Sequence, residues 1–66
     1  MSHTPWEESI LRSEVCRFPK HYGEMWYDVI ASDLAYAEWI LENVEDLDED
    51  LFDAITWGVR NVPEKI

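Results

Sequence analysis

The sequence predicts a small, mostly α protein with a short β-element, an α+β chain built as an N-terminal helix, a short β-turn unit and two or three packed helices. Three observations predict it. From Ser32 to Val44, the residues Leu34, Ala37, Ile40, Leu41 and Val44 recur at about 100° per residue, the broad apolar stripe of a core-facing helix. Leu51, Phe52, Ile55 and Val59 repeat that spacing near the end. Between the first helical signal and the Ser32–Val44 stretch, Val15, Cys16, Arg17 and Phe18 form a short run with strand character, bounded by Pro19 and Gly23.

In chain order, Thr4-Pro5-Trp6-Glu7 is a helix start. Thr4 offers a cap, Pro5 suits the first helical position, and Glu7 completes a capping box. Trp6, Ile10 and Leu11 are expected to face inward, with Glu7 and Glu8 at the positive end of the helix dipole. Residues 1–14 are this helix, ending near Ser13, or alternatively a partly ordered arm. After the Pro19–Gly23 turn, Glu24 to Tyr27 reads as a return strand or as the first turn of a helix running to Ala31. Ser32 or Asp33 caps the central helix. Glu45 to Asp50 forms an acidic loop, Asp48 caps the last helix from about Glu49 to Arg60, and Asn61 and Pro63 stop it. Gly58 inside that helix is a weak point worth about 1 kcal/mol against alanine.

Sixty-six residues make one domain, 1–66, with 61–66 as a tail, near the lower size at which a core sustains itself. Four Trp, three Tyr and two Phe help, because each ring buries a large area. The single cysteine, Cys16, excludes an internal disulfide and fits a reducing compartment as a semi-buried thiol. No basic region precedes an apolar run at the start, and no stretch reaches the roughly 18 apolar residues of a membrane span. The expectation is a cytoplasmic protein with no membrane association.

Charge is the dominant global feature. Fifteen acids against five bases give −10, and no Lys or Arg occurs between Lys20 and Arg60. Such a surface repels phosphate backbones and attracts basic partners; the alternative reading is that the acids only keep a small protein in solution.

The spacing of Phe18-Pro19-Lys20-His21-Tyr22-Gly23, then Trp26, Asp28 and Val29, then Tyr36-Ala37-Glu38-Trp39-Ile40-Leu41-Glu42-Asn43 resembles the small domain at the C-terminal end of exodeoxyribonuclease X-type proteins and their stand-alone relatives. The family pattern is F-G-K-Y-K-G, a large aromatic, Y-L-x-W-L-L, an acidic turn and another helix. The likeness runs from about Val15 to Ile55, in a core of residues 15–60. It implies a short β-element packed on two or three helices. This chain departs from the pattern at Pro19, which replaces a glycine, and at Tyr22 and Glu24, which replace lysines. Of the basic cluster only Lys20 remains. Small acidic stand-alone proteins that resemble a piece of a nuclease also fit the profile of phage-encoded inhibitors acting in a host cytoplasm.

No catalytic or cofactor signature is present. Asp46, Asp48 and Asp50 imitate the start of a calcium loop, but Leu51 stands at its glycine and Trp57 at its bidentate glutamate. Cys16, His21 and His3 do not make a four-ligand zinc set and read as a thiol and two surface imidazoles. Neither an enzyme nor a bound cofactor is expected. Trp26, Trp39 and Phe52 read as core rings. Trp6, Tyr27, Tyr36 and Trp57 are candidates for exposed anchors, with packing as the competing role.

The leading functional expectation is a non-enzymatic module that presents Glu42, Glu45, Asp46, Asp48, Glu49, Asp50 and Asp53 to a basic, nucleic-acid-binding surface on another protein. In its strong form the module is a nucleic-acid mimic that inhibits a nuclease or CRISPR-type effector. The second is an accessory domain of an exonuclease or replication assembly, with Arg17, Lys20 and His21 toward DNA. A third is a self-associating homodimer with aromatic residues at its interface.

Overall fold

The computed structural model of the protein describes residues 5–62. Four α-helices dominate: α1 (Trp6–Ser13), α2 (Trp26–Ser32), α3 (Leu34–Asn43) and α4 (Glu49–Asn61), with a 3-10 turn at Pro19–His21. The first and last helices make the most extensive packing, α2 touches both of them, and α3 closes the bundle against α2 and α4. Leu11, Cys16, Trp26, Val29, Ile30, Ala37, Ile40, Ala54, Ile55 and Val62 form one buried cluster. The architecture is therefore mostly helical, as expected.

Residues 6–13 are a helix and not an arm. Pro5 sits one position earlier than predicted, as the residue before the helix, and its carbonyl accepts from the Ser9 amide at 3.2 Å. The proposed caps at Thr4 and Pro63, and the ligand candidate His3, lie outside the described residues. Leu11 is fully buried and Ile10 half-buried, but Trp6 is 51% exposed, against the expectation that it faces inward. The reason is angular: Trp6 is five positions from Leu11, roughly 140° around the helix, and the Leu11 side is the one that meets α2 and α4.

The predicted β-element shrinks to a single antiparallel bridge, Val15 with Met25. The Cys16 amide donates to the Glu24 carbonyl at 2.7 Å, and the Trp26 amide donates to the Glu14 carbonyl at 3.1 Å. Pairing stops there because the Cys16 carbonyl already accepts from the Gly23 amide and the chain then turns at Pro19, which has no N–H to extend a ladder. Gly23 supplies the left-handed backbone, φ +88°, that closes this loop. Cys16 is wholly buried, not semi-buried; its Sγ accepts from the Phe18 amide at 3.5 Å.

Asp33 separates α2 from α3. Its amide donates to the Val29 carbonyl at 2.7 Å and ends α2, while its Oδ1 accepts from the Tyr36 amide at 3.3 Å and starts α3. Ser32, the other cap candidate, turns its hydroxyl back to the Asp28 carbonyl. Asp48 caps α4 as expected, its Oδ2 accepting from the Asp50 amide at 3.1 Å.

Two core expectations are corrected. Trp39 is 53% and Phe52 40% exposed, whereas Trp26 is buried. The buried rows of α3 and α4 are Ala37 with Ile40, and Ala54 with Ile55 and Gly58. Trp39 lies roughly 160° around α3 from Ala37, and Phe52 roughly 160° around α4 from Ala54, so both rings stay at the rim. Gly58 sits where α4 comes close to Leu11 and Ile30. A Cβ built there would stand 2.7 Å from Ile30 Cδ1 and 2.8 Å from Leu11 Cδ1.

Candidate functional site

The seven predicted acids are all exposed, and none makes an ion pair with any described residue. Glu42 lies in the last turn of α3, Glu45 and Asp46 on the connecting loop, and Asp48 at the α4 cap. Glu49 and Asp50 fill the first turn of α4, where the free amides favour negative charge. Asp53 follows one turn along.

Folding adds an acid that spacing did not reveal. Glu14, just past the end of α1, shares a depression of about 390 Å³ with Asp48, Asp50, Ile10 and Leu51. A smaller one of about 190 Å³ adjoins it, again including Glu14, Asp48 and Leu51, and reaches Asp46, Phe18 and Trp26. The carboxylates thus stand around an apolar floor, with Arg17 also lining the second depression. Trp26 carries the one buried side-chain polar atom, Nε1, with no hydrogen-bond partner among the described residues.

The basic candidates are not gathered into a free cationic patch. Lys20 Nζ lies 2.9 Å from Asp33 Oδ2, and His21 Nε2 lies 3.0 Å from the same oxygen. The other ring nitrogen of His21, Nδ1, is 3.1 Å from Glu24 Oε2. Hydrogen bonds to Asp33 first and Glu24 second raise the imidazole pKa above its ordinary value. Asp33 is correspondingly lowered to about 2, chiefly by His21 and then by Lys20. His21 is thus a half-buried bridging group, not the surface imidazole expected. Arg17 is on a different depression from Lys20.

The aromatic candidates also separate. Arg12 places its guanidinium 4.0 Å from the centre of the Tyr27 ring and pairs with Glu8, which covers Tyr27. Trp57 packs half-buried against the core, and Trp6 stays open. Tyr36 is half-buried between His21, at 5.2 Å, and Trp39, whose ring lies nearly parallel to it at 6.3 Å. Among the described residues Tyr22 is the most exposed ring, at 73%, followed by Trp39, at 53%, which reads from the sequence as a core ring. The available signal was angular: at about 100° per residue Trp39 lies roughly 160° around the helix from Ala37 and Leu41, opposite the apolar stripe.

Among the described residues no group of three or more His, Cys, Asp or Glu side chains is placed to hold a metal, and no helix is long and apolar enough to cross a membrane. No protein-family model matches the chain, and no curated protein or solved structure matches it either.

Proposed function

We propose that the protein is a non-enzymatic acidic binding module that presents carboxylates to a basic surface on another protein. One observation carries the reading: the seven acids from Glu42 to Asp53 are exposed and unpaired among the described residues, while the ion pairs that do form use Glu8, Glu24 and Asp33. Holding so many like charges on a small fold disfavours the compact state through self-repulsion. A partner with Lys and Arg at matching positions relieves that cost and gains association rate from long-range steering. A surface that normally meets nucleic acid has the required charge, so the favoured partner class is a DNA-handling protein whose groove the module occludes.

Affinity capture from a cell lysate at low and high salt tests this, using the wild type and a variant carrying E42Q, E45Q, D46N, D48N, E49Q, D50N and D53N. The amides preserve the α4 cap acceptor while removing charge. Capture of basic nucleic-acid-binding proteins at low salt, lost at high salt and in the variant, supports the proposal. Capture that persists unchanged in the variant rules it out.

An accessory DNA-binding domain, the reading that the exonuclease X resemblance favours, needs Arg17, Lys20 and His21 free for phosphate. The pairing of Lys20 and His21 with Asp33 weighs against it. Retention on DNA at low salt, abolished by Lys20→Ala, would restore it.

A further inference from the structure

Among the described residues nothing packs on the outer face of α3. Ala35, Glu38, Trp39 and Glu42 are all exposed along it. Trp39 is half in solvent, at 53%, although its ring is large enough to dominate any contact it makes. A small residue, Ala35, lies one turn before it and leaves that side open. Together with Lys20, Asp33 and Tyr36, these two line an open depression of about 350 Å³. The near-parallel Tyr36 ring, 6.3 Å away, and the Lys20–Asp33 pair close one end of the shelf and hold the rings in place. At the other end Glu38 and Glu42, four positions apart, make an acidic row that leads toward Glu45 and Asp46.

We infer that this face is the specificity element of the module, with the Trp39 indole as a stacking platform for an arginine of the basic partner and Glu38 and Glu42 as the acceptors for its guanidinium. The inference rests on the acidic-module reading above and adds which cation the partner offers. Charge complementarity selects the occupant. A second copy would bring Glu38 and Glu42 of both chains together at a net charge of −10 each, and a nucleic acid would bring phosphates against the same row. A guanidinium suits an exposed indole flanked by carboxylates better than an ammonium does. It is planar, weakly hydrated on its faces, and can donate in-plane hydrogen bonds while stacked.

Titration of the full chain with nona-arginine and nona-lysine peptides at low salt tests this, with circular dichroism confirming the fold of each variant. The wild type is expected to prefer the arginine peptide by about two- to five-fold, the range of an exposed cation–π contact. Trp39→Ala is expected to bring the two peptides to parity, Trp39→Phe to retain part of the preference, and E38Q/E42Q to weaken both peptides. A preference that survives in Trp39→Ala, or is absent from a wild type that binds both peptides, overturns the inference and leaves the acidic-module reading standing. A wild type that binds neither peptide overturns both. Sedimentation that shows a dimer in the wild type and a monomer in Trp39→Ala assigns the face to a second copy and also overturns it.

Discussion

His21 Nε2 stands 3.0 Å from Asp33 Oδ2, a contact that ties the Pro19–His21 turn to the junction between α2 and α3. The same carboxylate caps α3 and receives Lys20, so one side chain organises three pieces of backbone. The titrations of the pair set the sign of its pH dependence. The folded state raises the His21 pKa above 6.5, so its contribution is complete below that value and disappears as pH climbs through the raised one. Asp33 falls from 3.8 to about 2, so its contribution is complete above 3.8 and is lost as pH drops toward 2. The pair therefore stabilises most between 3.8 and 6.5. Urea midpoints of the wild type and His21→Gln should differ most at about pH 5 and converge as pH rises past the raised His21 pKa. A gap that stays constant across that range contradicts the assignment.

Gly58 sits where α4 passes closest to Leu11 and Ile30. Alanine gains about 1 kcal/mol in helix propensity, but its Cβ overlaps two methyl groups on fully buried side chains, and overpacking typically costs about 1–3 kcal/mol. Gly58→Ala should lower stability by about 1 kcal/mol net, and Gly58→Val by more. Denaturant unfolding reads this directly; a stabilised Gly58→Ala would mean that the methyls swing aside freely.

Trp26 is 1% exposed and its indole N–H has no partner among the described residues. An orphaned buried donor costs about 1–3 kcal/mol, which a phenylalanine avoids while giving up part of the ring volume. Trp26→Phe should therefore stay within about 1 kcal/mol of the wild type, whereas Trp26→Ala should cost about 3–5 kcal/mol by opening a cavity. Equal losses for the two variants would argue that the N–H has a hydrogen-bonded water.

Asp48 both caps α4 and belongs to the acidic surface, and the two roles separate by substitution. Asp48→Ala removes the acceptor for the Asp50 amide and should cost about 1 kcal/mol. Asp48→Asn keeps an acceptor and should cost only a few tenths. Thermal unfolding distinguishes them. An asparagine as damaging as the alanine would place the stabilisation in the charge at the helix N-terminus and not in the hydrogen bond.

Local signals carried much of the fold. The stops and starts at Ser13, Asp33, Asp48 and Asn61 and the stripe through Ala37 and Ile40 were legible, because capping and helical periodicity depend on residues a few positions apart. The acidity of 42–53 was equally plain, since solvated carboxylates gain nothing by being buried. What the chain order could not reveal were relationships between distant residues: His21 with Asp33, Glu14 with Asp48, and Gly58 against Leu11 and Ile30. The strand pattern of Val15 to Phe18 failed for the same reason, as a ladder needs a partner and the turn at Pro19 leaves room for one bridge. Trp39 and Phe52 stay in solvent because apolar character says only that a ring can be buried, while its angle around the helix decides whether it meets another element. The sequence by itself determined where α3 and α4 run and which sign of charge the surface carries. Only the tertiary packing, by setting which face of each helix meets a neighbour, decided which rings stayed in solvent and which acids found a cation.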